Sequence, residues 1–240
     1  MRIALAQIQS IPGKIDTNVE KHLTIIRQIE SYELDAVFFP ELSLTGYAPQ
    51  LANDLAMNLK DPVFQSFIEF SERYKILVGV GFPLLSREGV QISMAFFQPK
   101  RQPLCYSKVF LHPDEKDYFI PGKKYIKLRI HDEIISPAIC YESLLVVHHS
   151  KSIRQKGQVY LASVAKSHQA MDKAKSIYAT LAKKCKIYVL VVNAWGLSGQ
   201  FICGGNSGVW TPNENFNHQI SSEKEGILIY DTISDISSVL

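Results

Sequence analysis

Three side chains in this sequence could run an acyl transfer together without histidine or metal: Glu41, Lys108 and Cys140. Glu41 follows Phe38-Phe39-Pro40, Lys108 closes Tyr106-Ser107-Lys108, and Cys140 ends Ser136-Pro137-Ala138-Ile139-Cys140. A thiol needs a base to become a thiolate and a cation to stabilise it. The developing oxyanion needs positive charge or N–H donors. A carboxylate, an ammonium and a thiol cover these needs. Of the four cysteines, Cys140 is expected to react first with an alkylating agent, because Lys108 favours its thiolate.

Each of the three lies near the end of an apolar run that reads as a strand. Strands are predicted over 2–7, 36–39, 76–80, 90–97, 104–109, 128–130, 133–139, 158–163 and 187–193, with a β-rich tail from 208 onward. Between them lie helical patterns. One runs from a cap at Asp16 or Thr17 to about residue 31, with Val19, Leu23, Ile26 and Ile29 on one face. A second has Asp61 as cap and Pro62 at its first position, and carries Phe64, Phe67, Ile68 and Phe70 to about residue 74. A third is expected over about 143–156. A fourth covers 171–184, with Ile177, Tyr178 and Leu181 facing inward. Ser86-Arg87-Glu88-Gly89 and His131-Asp132 read as turns, and 110–122 as an ordered loop. Strands alternating with helices give an α/β class. Reactive groups at the C-terminal ends of strands are where such folds place their sites.

The chain has 240 residues and a net charge of +3, which fit one large domain with scattered basic residues. Lys123-Lys124 and Lys183-Lys184 read as solvated pairs, so nucleic-acid binding is not expected. No apolar run is long enough for a membrane span, and the sequence opens as a strand without a leader, which predicts a cytoplasmic protein. The cysteine spacing fits neither a zinc knuckle nor a redox pair. Cys105, Cys185 and Cys203 are expected to be small buried hydrophobes. His148-His149 reads as a polar helix face, and no cluster has metal-ligand spacing. Asp54, Asp61 and Asn213-Glu214-Asn215 read as loop and turn residues, and Trp195 and Trp210 as core or pocket wall.

The segments that carry the candidate residues resemble the nitrilase superfamily of carbon–nitrogen hydrolases. Pro40-Glu41-Leu42 with Leu44-Thr45-Gly46-Tyr47 is similar to the motif of the general-base glutamate. Tyr106-Ser107-Lys108, followed by Leu111 and His112, resembles the lysine motif, and Ile139-Cys140-Tyr141-Glu142 the nucleophile motif. Glu115, ahead of Tyr118-Phe119-Ile120-Pro121-Gly122, matches the second glutamate of many members. In place of the arginine that many members carry soon after the nucleophile, this chain has Ser143-Leu144-Leu145-Val146-Val147-His148-His149.

The resemblance implies an α-β-β-α sandwich, a homodimer or higher homo-oligomer, and hydrolysis of a small-molecule amide through a Cys140 thioester. It implies catalytic roles for Glu41, Lys108, Cys140 and Glu115, and substrate contacts from Tyr141, Tyr47 and Ser163. It implies no cofactor and no metal. The same residues would serve nitrile hydrolysis or acyl transfer. A catalytically idle binding protein is the reading from another class, and the complete Glu-Lys-Cys set argues against it.

Overall fold

A computed structural model describes residues 1–153, 158–199, 201–213 and 217–240. Its strands are β1 (Arg2–Gln7), β2 (Ala36–Phe38), β3 (Leu77–Leu85), β4 (Val90–Phe97), β5 (Leu104–Ser107), β6 (Leu128–Ile130), β7 (Glu133–Ile139), β8 (Val159–Val164) and β9 (Tyr188–Asn193). They continue as β10 (Trp195–Ser198), β11 (Phe201–Gly204), β12 (Gly208–Trp210), β13 (Asn217–Gln219), β14 (Gly226–Asp231) and β15 (Ile236–Val239). The helices are α1 (Ile15–Gln28), α2 (Ala52–Leu55), α3 (Gln65–Tyr74), α4 (Val146–Ile153) and α5 (His168–Cys185).

Two sheets form, in the orders β15-β14-β1-β2-β3-β4-β5 and β13-β12-β9-β8-β7-β6, with a separate β10-β11 hairpin. Strand alternation explains why they stack. Ile3 and Leu5 of β1 face Leu161, Leu190 and Val192 of the second sheet in one apolar cluster, while Ala4 and Ala6 turn outward toward Leu23 and Ile26 of α1. α3 joins that outer layer through Phe67. On the opposite outside, α5 lays Met171, Ala174, Tyr178 and Leu181 over Tyr160, Ala162 and Val191. The layers are therefore α-β-β-α. Strands β1, β2 and β3 run parallel, as do β7, β8 and β9. Parallel neighbours need crossover connections, and this puts the loops after β2, β7 and β8 at one end of the stacked sheets.

Several local expectations are corrected. α1 begins at Ile15, its cap position is Lys14 without a side-chain bond, and Asp16 lies inside the first turn. The start is fixed instead by Asn18, which bonds both the N–H and the carbonyl of Ile11 and also the carbonyl of Leu44. Asp61 does not cap the following helix; its carboxylate accepts from the Asn58 N–H at 2.9 Å. The segment after Cys140 starts with a 3-10 helix over Cys140–Leu144, and α4 begins only at Val146; the predicted continuation to 156 lies outside the described residues, as do Glu214 and Asn215. Ile177 is not an inward residue, and Cys185, in the last turn of α5, is exposed rather than buried. The β10-β11 hairpin was not read from the sequence, because its strands are short and glycine-rich at both ends. Among the described residues no helix is long and apolar enough to cross a membrane.

Candidate active site

Glu41 is delivered by the turn after β2. Leu42 takes a left-handed φ of 51° there, and the turn closes with the Ser43 N–H on the Pro40 carbonyl at 3.1 Å. The turn lies directly on β3. A Cβ on Gly81 would come within 2.4 Å of the Pro40 carbonyl oxygen and the Leu42 nitrogen, so only glycine permits this approach. His22, fully buried, reaches the Ser43 hydroxyl at 2.9 Å from behind.

Lys108 follows β5. Its N–H donates to the Ile92 carbonyl at 2.8 Å, and its own carbonyl accepts from Gly122 at 2.7 Å. Its ammonium donates to Glu41 Oε1 at 2.8 Å and to Glu115 Oε1 at 2.6 Å, with all three side chains buried. Burial opposes the charge of Lys108, but Glu41, Cys140 and Glu115 outweigh it and hold the ammonium well above the usual lysine range. Glu115 is fixed from two further sides: Oε1 accepts from the Tyr47 hydroxyl at 3.0 Å and Oε2 from the His112 N–H at 2.8 Å.

Cys140 sits where β7 gives way to the 3-10 helix, at a left-handed φ of 46° that a non-glycine residue rarely adopts. Its Sγ lies 3.9 Å from the Ala165 carbonyl in the loop after β8. Burial, followed by Glu41, pushes the thiol up to about 11, against the opposing pull of Lys166 and Lys108. Lys108 does favour the thiolate, as expected, but it is shared between two carboxylates and burial outweighs its pull. Burial also raises Glu41 above the ordinary carboxylate range, with Lys108 opposing. Its Oε2 is buried without a hydrogen-bond partner, and Cys140 is among the groups that act on the Glu41 carboxyl.

Cys140 and Glu115 open onto a cavity of about 730 Å³, which Tyr47, Tyr141 and Lys166 also line, while Glu41 and Lys108 lie buried behind them. The Tyr141 N–H lies in the first turn of the 3-10 helix, where backbone donors lack intrahelical acceptors. Ser163 stands apart from its expected substrate contact. It is fully buried, does not line the cavity, and donates to the Phe39 carbonyl at 2.9 Å, tying β8 to the loop of Glu41.

Sequence reasoning missed two residues here. Glu142 is fully buried and accepts from the Val109 and Phe110 N–H groups at 2.7 and 3.0 Å, the Ile139 N–H at 2.9 Å and the Tyr106 hydroxyl at 2.7 Å. It joins the backbone just after Lys108 to the backbone just before Cys140. Burial lifts its carboxyl to about 7. Its place in the nucleophile segment was the available signal. Lys166 is the other, a lysine of the loop after β8 that is only 7 % exposed. The polar face expected for His148-His149 is also corrected. Both are buried, and His148 bridges the Tyr106 and Tyr160 hydroxyls at 2.8 Å each. Among the described residues, no group of three or more His, Cys, Asp or Glu could hold a metal ion.

Comparison with known proteins places the chain in a family. The (R)-stereoselective amidase of a Pseudomonas species is 24% identical over 217 residues, 87% of this chain and 77% of that protein. The glutamine-dependent NAD(+) synthetase of Aquifex aeolicus is 24% identical over 237 residues, 95% of this chain. This chain spans 41% of the length of that synthetase and 42% of the one from Acinetobacter baylyi. A cysteine-to-alanine variant of the Nesterenkonia sp. AN1 amidase, solved in complex with butyramide, shares the fold with a TM-score of 0.88 at 20% identity, over 98% of this chain and 92% of that one. The carbon-nitrogen hydrolase profile matches residues 2–238, and the chain belongs to the carbon-nitrogen hydrolase family.

Proposed function

We propose that this protein hydrolyses the C–N bond of a small amide through a thioester on Cys140. The observation that carries the reading is Lys108 held between Glu41 and Glu115 beside a protonated, cavity-lining thiol. Because the thiol is protonated at neutral pH, attack needs a base in contact with it. Glu41 is that base, since its second oxygen is unengaged and burial makes it more basic than a surface carboxylate. It takes the thiol proton as Sγ attacks the amide carbon. An ammonium has three N–H donors. Lys108 spends two on carboxylates and keeps one for the oxyanion, with the Tyr141 N–H as the second donor. Glu41 then passes its proton to the departing amine, leaving the thioester. It next takes a proton from the water that attacks the thioester carbon, and returns it to the Cys140 sulfur as the acid leaves. Glu115 orients Lys108, and Tyr47 orients Glu115. The names of the relatives point the same way: one is an amidase, the other a synthetase that depends on glutamine, itself an amide.

Two measurements test this. Ammonia release should follow addition of small primary amides, and mass spectrometry of acid-quenched turnover should find the acyl group on the Cys140 peptide. Turnover with no acyl adduct on that peptide would sink the covalent route. We further propose a cytoplasmic homodimer. Val146, 76 % exposed, and Ile177, 37 % exposed, share an apolar hollow between α4 and α5, a surface suited to a second copy. Light scattering should give twice the chain mass, and Val146→Asp should give the monomer.

A further inference from the structure

The cavity wall holds a buried lysine that the proposed chemistry leaves unused. Lys166 is 7 % exposed, and among the described residues that line the cavity it is the one lysine or arginine. Its backbone is clamped. The Lys166 N–H donates to Asn193 Oδ1 at 2.8 Å, and its carbonyl accepts from Asn193 Nδ2 at 3.0 Å and from the Gly204 N–H at 2.8 Å. Asn193 is itself fully buried and bonds the Gly205 carbonyl at 2.7 Å, so the lysine is mounted on the second sheet with little freedom. Yet its ammonium makes no hydrogen bond or ion pair with any described residue.

The side chain is almost wholly buried while its ammonium opens onto the cavity without a protein acceptor, and a ligand there can supply the missing partner. In the proposed chemistry Lys108 serves the reacting carbonyl; Glu41 and Glu115 both accept from Lys108, and the second Glu41 oxygen is kept for the Cys140 proton. The acids at the mouth, Asp114 and Asp117, cannot fill the role; the Asp114 side chain is 86 % exposed and screened by water. Resting on the amide-hydrolase reading, we infer that Lys166 is the anion-binding end of the substrate site, and that the preferred substrate is a small amide bearing a carboxylate a few bonds from the scissile carbonyl. A carboxylate there would receive charge-assisted hydrogen bonds from Lys166 while the amide carbon sits on Cys140. The rigid mount fixes the distance between the two ends, so the site selects for chain length as well as charge.

The pair butyramide and succinamate isolates the effect, because a terminal methyl in one is replaced by a carboxylate in the other. Both are titrated calorimetrically into the Cys140→Ala protein, where no turnover interferes. Succinamate should bind at least tenfold more tightly. In Cys140→Ala/Lys166→Met the two should fall within about twofold of each other, and in Cys140→Ala/Lys166→Arg the preference should survive. No preference in the Cys140→Ala protein overturns the inference. So does a preference that outlasts Lys166→Met, which includes the case where both amides weaken equally because Lys166 serves the reacting centre instead. If Lys166→Met does not fold by circular dichroism, the first comparison and the arginine variant decide. Failure of the unsubstituted protein to release ammonia from either amide would sink the hydrolase reading alone, since the binding preference is measured without chemistry.

Discussion

The protein buries carboxylates in two adjoining places and neutralises them by different means. Glu41 and Glu115 share an ammonium, Lys108, whose contacts are 2.8 and 2.6 Å. Glu142 has no cation in contact; three backbone N–H groups and a tyrosine hydroxyl surround it. The first arrangement keeps charge available, because an ammonium and a carboxylate can both trade hydrogen bonds with a substrate as the reaction proceeds. The second engages its oxygens with three backbone N–H groups and one buried tyrosine, so it fixes geometry and offers nothing to a ligand. Buried charge by itself therefore does not mark chemistry in this fold. Among the three buried carboxylates, Glu41 alone keeps an oxygen without a hydrogen-bond partner among the described residues.

The sharpest way to break the comparison is Lys108→Met. It leaves two buried carboxylates without their cation and removes the proposed oxyanion donor at the same time. Breaking a buried pair by deleting one partner costs about 3–5 kcal/mol. Loss of one oxyanion donor lowers kcat by about 10²–10³. Urea unfolding and amide turnover should both change by these amounts. A variant as stable as the parent would mean that Glu41 and Glu115 are not both charged in the folded protein.

Glu41→Gln comes next and separates the two effects. Glutamine still accepts from Lys108 but cannot take the thiol proton. Turnover should fall on the order of a hundredfold or more, while stability changes far less than in Lys108→Met. Iodoacetamide labelling of Cys140 should rise with pH toward the buried thiol's value of about 11 in the parent protein. A plateau reached near neutral pH would show a resting thiolate and remove the need for Glu41.

Much of this was legible in the sequence, and what was not has a common cause. The strands could be read because buried apolar runs such as 90–97 and 133–139 are bounded by turn residues, and the structure returns both ranges unchanged. Glu41, Lys108 and Cys140 could be read because each follows such a run. Lys166 could not be, because a lysine is normally exposed, and its burial depends on Asn193 and Gly204, which approach only in the folded chain. His148 was misread for the same reason: its partners Tyr106 and Tyr160 lie on different sheets. Ser163 was expected at the substrate from the family resemblance of its segment, which does not say which residue of that segment faces the cavity; here Ala165 and Lys166 line it instead.

Glu142→Gln sharpens the comparison through pH. Burial keeps the Glu142 proton on to about pH 7 in the folded chain, whereas the unfolded chain releases it near 4.5. Between these values the folded state holds the extra proton, so this group's contribution to stability falls as pH rises through the window. Neutral His148 acts in the opposite sense. Burial lowers it to about 3, so acidification below 6.5 protonates the unfolded chain first and lowers stability. Removing Glu142 leaves the histidine effect unopposed. The substitution should therefore cost more at pH 5 than at pH 7.5, by an amount on the order of 1–3 kcal/mol. Equal costs at the two pH values would place the Glu142 carboxyl in the ordinary range. Turnover should also drop, since the bonds that join the Lys108 and Cys140 segments are weakened.

The smallest effect is expected where the same contact is made in water. Lys123 donates to Glu88 Oε1 at 2.8 Å, the distance of Lys108 to Glu41, but these side chains are 68 % and 64 % exposed. At equal separation, the Coulomb attraction between two unit charges is several-fold weaker at a surface-like dielectric than in a dry interior. Holding two long side chains in one geometry also costs rotamer entropy, and salt screens what remains. Exposed pairs of this kind contribute about 0.2–1 kcal/mol at most. Lys123→Ala should thus shift the unfolding free energy by less than about 0.5 kcal/mol, shrink further in 1 M salt, and leave amide turnover unchanged. A loss comparable to that of Lys108→Met would show that burial is not what distinguishes the two lysines, and that distance alone sets the strength of ion pairs in this protein.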